Sequence, residues 1–260
     1  MIESIQNPKI KALVKIQQSN AERRKENKII VEGRQENTLA LSKGYEPLEF
    51  YICSTIFPDA LPSQAKVHLV SEKVYEKIAY RGGTEGIVGV YRSVEHSLGN
   101  YTPCDAVSII VVEGSEKPGN LGAIIRSCEA LGIDSLIITD PKTDLYNPNV
   151  IRSSVGCVFL LKIFTTTNEE LHNFLEKNRI ALYTTDMHTE ARAIDSVDFT
   201  RSCALLFGTE HSGISTFWKK KGQNVLIPMH GTIDSLNLSN AVAISAYEMQ
   251  RQKTSSRQSL

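Results

Sequence analysis

The sequence predicts an α/β protein, with a mostly parallel sheet covered by helices and a smaller α/β unit before it. Two observations carry this. From residue 105 onward, short apolar runs (VSIIVV, SLIIT, CALLF) alternate with stretches of helical spacing. Such runs are apolar at nearly every position, as strands buried on both faces must be. Residues 1–95 hold a separate alternation, and the stretch EHSLGNYTPCD that follows is polar, turn-rich and without period. It marks a linker over 96–104.

In order along the chain, PKIKALVKIQQ (8–18) sets Ile10, Leu13, Val14 and Ile16 at helical spacing, with Asn7 as cap and Pro8 in the first turn. KIIVEG is a strand and RQENTLALSKG a helix closed by Gly44. LEFYIC, KVHLV and GIVGVYR are strands, and SEKVYEKIAY is a helix capped by Ser71. In the second domain (105–252), VSIIVVEG is a strand, GNLGAIIRSCEALG a helix, SLIIT a strand, NPNVIRSSVG a turn and short helix, and VFLLKIF a strand. EELHNFLEKN is a helix; RIALYTT, CALLFG and NVLIP are strands, and a last helix follows. The tail KTSSRQSL (253–260) is polar and of low complexity, and is expected to be disordered.

The formal net charge is zero, but it is unevenly spread. Residues 1–34 carry Lys9, Lys11, Lys15, Arg23, Arg24, Lys25, Lys28 and Arg34 against four glutamates, Glu3, Glu22, Glu26 and Glu32. A basic arm of this kind is either a phosphate-binding surface or a solvated helix face. No apolar run approaches the ~20 residues needed to span a membrane, and the first 30 residues show no secretory pattern. Five scattered cysteines without C-x-x-C spacing argue against a disulfide framework and a zinc site, so reduced thiols in a cytoplasmic protein without metal are expected.

Three segments carry the chemistry. In VVEGSEKPGNLGAIIRSCEALG a strand passes through Gly114 and Pro118–Gly119–Asn120 into a helix. Its spacing fits neither G-x-G-x-x-G nor the P-loop, which disfavours a dinucleotide enzyme. Arg126 in the apolar part of that helix is either a snorkelling surface arginine or one placed for a purpose. In CALLFGTEHSGIS a strand ends at Gly208, where parallel sheets bind ligands. Glu210 is then a ligand-facing carboxylate or a helix N-terminal one; His211, like His230, is more simply an incidental loop histidine. In IPMHGTIDSLNLSNAVAISAYEMQ, Ser235 and Asn237 either cap the last helix or face a ligand.

In this order, GNLGAIIR, LLFGTEHSGIS and IPMHGTIDSLNLSNAVAISAYE resemble the three signature motifs of the SpoU (TrmH-type) RNA 2′-O-ribose methyltransferases of the SPOUT superfamily, and NPNVIRSSVGCVFLLKIF resembles the family's R-S-S-x-G segment. IQNPKIKALVKIQQ and IIVEG are similar to the ribosomal-protein-like RNA-binding substrate domain (1–95) of many members. The resemblance implies a C-terminal portion threaded as a deep trefoil knot, a homodimer, and S-adenosylmethionine bound around Leu206, Phe207, Gly208, Ile227, Met229, Leu236 and Ser239. It implies Arg126, Asn120, Glu210, Ser235 and Asn237 as catalytic residues, with Arg126 stabilising the developing alkoxide rather than acting as a literal base. It implies RNA as partner, ribosomal RNA before transfer RNA, on Lys9, Lys11, Arg23, Arg24 and Lys25. A silent RNA-binding or ribosome assembly protein of the same fold is the alternative. The chain departs from the family at Glu116–Lys117–Pro118, where many members have Asp-Pro, at RGGTEGIVGV, which lacks a Pro-Gln before its strand, and at Asn240, where many relatives have an apolar residue.

Overall fold

The first helix, α1 (Pro8–Gln18), forms as its sequence dictates: Asn7 accepts from the Lys9 amide and Ile10, Leu13 and Ile16 are buried. After it come α2 (Asn20–Glu26), β1 (Lys28–Glu32), α3 (Arg34–Ser42), β2 (Pro47–Ile52), β3 (Lys66–Leu69), α4 (Glu72–Ile78) and β4 (Ile87–Arg92). Then follow β5 (Ser108–Glu113), α5 (Pro118–Ala130), β6 (Ser135–Thr139), α6 (Pro148–Ser153), β7 (Ile163–Thr166), α7 (Asn168–Lys177), β8 (Ala181–Thr184), β9 (Arg192–Ala193), β10 (Cys203–Phe207), β11 (Gln223–Leu226) and α8 (Leu238–Gln258). This computed structural model describes all residues except 61, 63–64, 81–84, 187–189, 211 and 259–260, with the backbone alone for 100, 257 and 258. His211 and part of the RGGTEGIVGV segment therefore lie outside the described residues.

The chain divides into two units, Met1–Glu95 with Asp144–Leu160, and His96–Thr143 with Leu161–Leu260. In the first, a four-stranded sheet runs β1-β4-β2-β3, with β4 antiparallel to both neighbours and β2 parallel to β3. The α1 stripe and Val74, Tyr75 and Ile78 of α4 pack with Ile30, Tyr51 and Val88 of the sheet.

The sequence did not suggest α2, because NAERRKE has no apolar stripe. Ser19 caps it, and Arg23 anchors it. Arg23 is 5% exposed, its Nη1 donates to the Ile16 and Gln17 carbonyls at 2.9 and 2.8 Å, and its Nε meets Asp144 Oδ2 at 2.6 Å. The expectation that Arg23 holds RNA is therefore corrected: its guanidinium is committed to the fold. Lys9, Lys11, Arg24 and Lys25 are exposed.

Asp144–Leu160 groups with this unit, so the residues after the 96–104 linker divide between the two units. Besides the Arg23–Asp144 pair, Tyr45 meets Tyr146 through their hydroxyls at 3.1 Å and takes the Phe159 ring edge-on at 5.0 Å. The same packing corrects VFLLKIF as one strand. Cys157–Phe159 form a buried 3-10 turn, and only Ile163–Thr166 pairs in a sheet.

In the second unit a seven-stranded sheet runs β7-β6-β5-β10-β8-β11-β9 with every pairing parallel. One face is filled by Ile109, Val111, Ile137, Leu206 and Trp218 with Leu171 and Leu175 of α7. On the other, α8 packs on α5. The tail departs from its expected disorder, since α8 continues to Gln258. Gln252 accepts from the Phe199 amide at 2.9 Å, and Lys253 is buried with its ammonium on the Ala106 carbonyl. These tertiary contacts hold a segment whose composition alone would not. Among the described residues no helix is long and apolar enough to cross a membrane, and the five cysteines are free thiols.

Candidate active site

Parallel strands end together, and the loops leaving their C-terminal ends converge. Here the ends of β8, β10 and β11 and the start of α8 enclose a cleft of about 270 Å³. The loop after β10 folds back on itself, with Thr209 and Gly213 exchanging backbone hydrogen bonds at 3.0 and 3.1 Å. A Cβ on Gly208 would overlap the Gly213 backbone, so only glycine permits this fold-back.

A buried network pins the same loop. Glu113, at the end of β5, accepts from the Ser215 amide at 2.8 Å and from Asn168 Nδ2 at 2.8 Å, and Asn168 Oδ1 accepts from Trp218 Nε1 at 2.7 Å. Glu113 is thus a structural post. The sequence reading missed it, since a carboxylate at a strand end reads as a solvent-facing group.

The fold-back presents Glu210 to two asparagines distant in sequence. Asn120 Nδ2, on the first turn of α5, donates to Glu210 Oε1 at 2.5 Å, and Asn237 Nδ2 donates to the same oxygen at 3.0 Å. Lys117 Nζ pairs with the other oxygen, Oε2. The Lys117 contact is the main cause holding the Glu210 carboxyl below the usual glutamate range, and the partial burial opposing it is weaker. Glu210 is therefore ionised at neutral pH and acts as an acceptor only.

Asn237 serves the helix and the site at once. Its Oδ1 accepts from the Ser239 amide at 2.9 Å and from Ser239 Oγ at 2.6 Å, capping α8. With the oxygen used for the cap, the amide NH2 must face Glu210, so the cap sets the side chain's orientation. The capping reading of this residue therefore holds, and the cap leaves its amide turned toward Glu210.

Of the other expected site residues, Ser235 lines the cleft, its Oγ donating to Asp234 at 3.3 Å. Phe207, Gly208, Ile227, Met229 and Leu236 line it as well. Leu206 is fully buried in β10 behind it, and Ser239 is held by Asn237. Arg126 does not join the cluster. It is exposed on α5, about 9 Å along the axis and about a third of a turn round from Asn120, without an ion pair among the described residues. His230 is exposed on the loop after β11 and does not line the cleft.

The sequence reading missed Thr185, Asp186, Thr209, Leu226 and Asp234, which also border the cleft. YTTD ends a strand of the same sheet as CALLFG, which was the available signal. The donor set fits S-adenosylmethionine. Leu226, Ile227, Met229 and Leu236 give apolar walls, and Asp186, Glu210 and Asp234 give three carboxylates, with no lysine or arginine in the lining among the described residues. Such a lining favours a cation like the sulfonium.

Comparisons with known proteins agree with this geometry. A model of the SpoU rRNA Methylase family matches residues 108–247, and a model of the MRM3-like substrate binding domain matches residues 7–89. The 23S rRNA (uridine(2479)-2′-O)-methyltransferase of Streptomyces viridochromogenes is 37% identical over 155 residues, which span 57% of this chain and 54% of that relative. The 23S rRNA (guanosine(2553)-2′-O)-methyltransferase RlmP of Bacillus subtilis is 26% identical over 95% of this chain and 98% of its own. The crystal structure of the SpoU methyltransferase AviRb from Streptomyces viridochromogenes, in complex with the cofactor AdoMet, superposes with a TM-score of 0.86 at 25% identity, covering 96% of this chain and 99% of that one. The family match spans more than half the chain and contains Asn120, Glu210 and Asn237, and the protein belongs to the SpoU rRNA methylase family.

Proposed function

We propose that the protein transfers a methyl group from S-adenosylmethionine to a ribose 2′-hydroxyl of RNA, and that its substrate is ribosomal RNA. The observation that carries this reading is the convergence of Asn120 and Asn237 on Glu210, which lines an acid-bordered cleft. The rRNA-directed relatives and the AdoMet-bound neighbour support substrate and cofactor.

S-adenosylmethionine, when bound, supplies an electrophilic methyl on a cationic sulfonium. The chain's own residues do the rest. Phe207, Ile227, Met229 and Leu236 wall the cleft against water, and Gly208 leaves room at its floor. Glu210, fixed as an anion, orients the Asn120 and Asn237 amides, and Ser235 shapes the loop beside them. These groups hold the ribose in line for displacement. The exposed Arg126 guanidinium, free of ion pairs among the described residues, provides the positive charge that stabilises the developing alkoxide. Lys9, Lys11, Arg24 and Lys25 of the N-terminal unit hold RNA phosphates.

The reading includes a homodimer and a trefoil knot in the C-terminal unit. Ile244 and Tyr247, exposed at 43% and 60% one turn apart on α8, support an apolar contact between copies.

The test is transfer of labelled methyl from S-adenosylmethionine to total RNA of a strain lacking the gene, followed by mapping of ribose methylation. Label at one 23S rRNA nucleotide is expected. Label confined to transfer RNA overturns the substrate. Absence of both label and cofactor binding overturns the activity and leaves a silent RNA-binding protein.

A further inference from the structure

A second cavity of about 290 Å³ lies beside the cleft and shares Thr209, Glu210 and Leu238 with it. Its other wall is the turn from β5 into α5, where Gly114, at φ +59°, redirects the chain. Ser115 on this wall is only 3% exposed, and its hydroxyl has no hydrogen-bond partner among the described residues. A buried hydroxyl left unsatisfied is unfavourable, and such groups are uncommon in folded proteins.

The 13-residue α5 starts against the same cavity. Lys117 occupies its capping position, makes no side-chain cap, and no acid stands in the first turn. The first-turn amides are thus without the carboxylate or hydroxyl that usually covers them, at the positive end of the helix dipole. Lys117 also lines the cavity; its side chain is 68% exposed, and its partner is Glu210. The remaining acid on the wall, Glu116, is neutralised by Lys142 at 2.5 Å.

An orphan hydroxyl, an uncapped helix start and an exposed ammonium converge on one cavity, and all three are donors. The two acids on its wall, Glu116 and Glu210, are each paired with a lysine, whereas no lysine lines the neighbouring cleft among the described residues. We propose that this second cavity is a phosphate site for the substrate RNA, in which Ser115 Oγ, the first-turn amides of α5 and the Lys117 ammonium hold one backbone phosphate of the strand whose ribose enters the cleft. The inference rests on the methyltransferase reading and deepens it. Arrival of the phosphate draws Lys117 from Glu210, which keeps its bonds to Asn120 and Asn237. Lys117 and Ser115 are positioning residues, since they set where the ribose stands without touching the reacting atoms.

The experiment uses the full-length protein as wild type, Lys117→Ala, Lys117→Arg and Ser115→Ala, with an unmodified 23S rRNA transcript as probe. RNA affinity is measured across a salt series, S-adenosylmethionine affinity by calorimetry, and methyl transfer in parallel. Lys117→Ala is expected to weaken RNA binding ~10-fold, the loss of one charge-assisted contact. It should also flatten the slope of log affinity against log salt by ~0.7, one phosphate on a single strand. Lys117→Arg should restore the slope. Ser115→Ala should weaken RNA binding ~3-fold with an unchanged or raised melting temperature, because it removes an unsatisfied hydroxyl. Cofactor affinity should not move in any variant.

An unchanged salt slope in Lys117→Ala overturns the site. So does a loss of cofactor affinity that parallels the loss of RNA affinity, which would make the turn a wall of the cleft. Calorimetric titration with inorganic phosphate separates the sources: phosphate binding that depends on Lys117, with no change in the RNA slope, overturns the RNA assignment. Wild-type protein that transfers no methyl while the slopes respond as expected overturns the methyltransferase reading alone. Wild-type transfer with unmoved slopes overturns the phosphate site alone.

Discussion

Replacing Arg23 by alanine separates two roles that a basic helix can have, binding RNA or holding the fold. The guanidinium satisfies the Ile16 and Gln17 carbonyls and pairs with Asp144, whose side chain is 15% exposed. Truncation leaves two buried acceptors and one largely buried carboxylate without their donor. Breaking a buried ion pair from one side costs ~3–5 kcal/mol. Because Asp144 retains some contact with water, the lower end, ~3 kcal/mol, is expected. Urea unfolding of wild type, Arg23→Ala, Asp144→Ala and the double variant measures it. The double variant should lose less than the sum of the singles, since each single change strands the other partner. Arg24→Ala, one residue on and exposed, should leave stability within ~0.5 kcal/mol and flatten the salt dependence of RNA binding instead. An Arg23→Ala protein of wild-type stability with a flattened salt slope would refute the structural assignment and return Arg23 to the RNA surface.

Arg126→Ala is expected to abolish labelled-methyl transfer while calorimetry shows S-adenosylmethionine binding intact; surviving activity would remove Arg126 from the mechanism. Asn237→Ser retains a capping oxygen for α8 but deletes the amide donor to Glu210, so melting should change little while the transfer rate falls ~100-fold, the scale of one lost preorganised donor. The Glu210 carboxyl is held low chiefly by Lys117. Its folded value lies below its unfolded one, so its stabilising contribution is present above the unfolded value and is lost as pH falls through the folded one. The acid limb of kcat/KM for methyl transfer, which reports the enzyme before RNA binds, should accordingly lie below the ordinary glutamate range. In Lys117→Ala that limb should move upward, and an unmoved limb would mean that another group sets it.

The parallel sheet was legible in the sequence because its strands are buried on both faces, so VSIIVV, SLIIT and CALLF had to be continuously apolar. The same rule misled at VFLLKIF. A buried 3-10 turn needs the same residues as a buried strand, and an apolar run has no period to tell them apart. Helix α2 and the helical tail were invisible for the opposite reason. Neither NAERRKE nor KTSSRQ carries an apolar stripe, and each is held by single polar anchors, Arg23 to Asp144 and Lys253 to Ala106, which lie 121 and 147 residues away.

The site follows the same logic. Asn120, Glu210 and Asn237 stood out one by one, as polar residues near the turns between strands and helices. Their meeting did not, because Glu210 lies 90 residues from Asn120 and 27 from Asn237. What joins them is the fold-back at Gly208, fixed from below by the Glu113–Asn168–Trp218 network, whose members sit on three separate segments. Lys117 shows the limit most clearly. In the sequence it was a departure from the family's pattern at the head of a helix. In the fold it is the cation against Glu210, beside an orphan hydroxyl that no sequence pattern marks. Local rules supply the parts of such a site, and the chemistry appears only when the sheet sets the order in which its strands end.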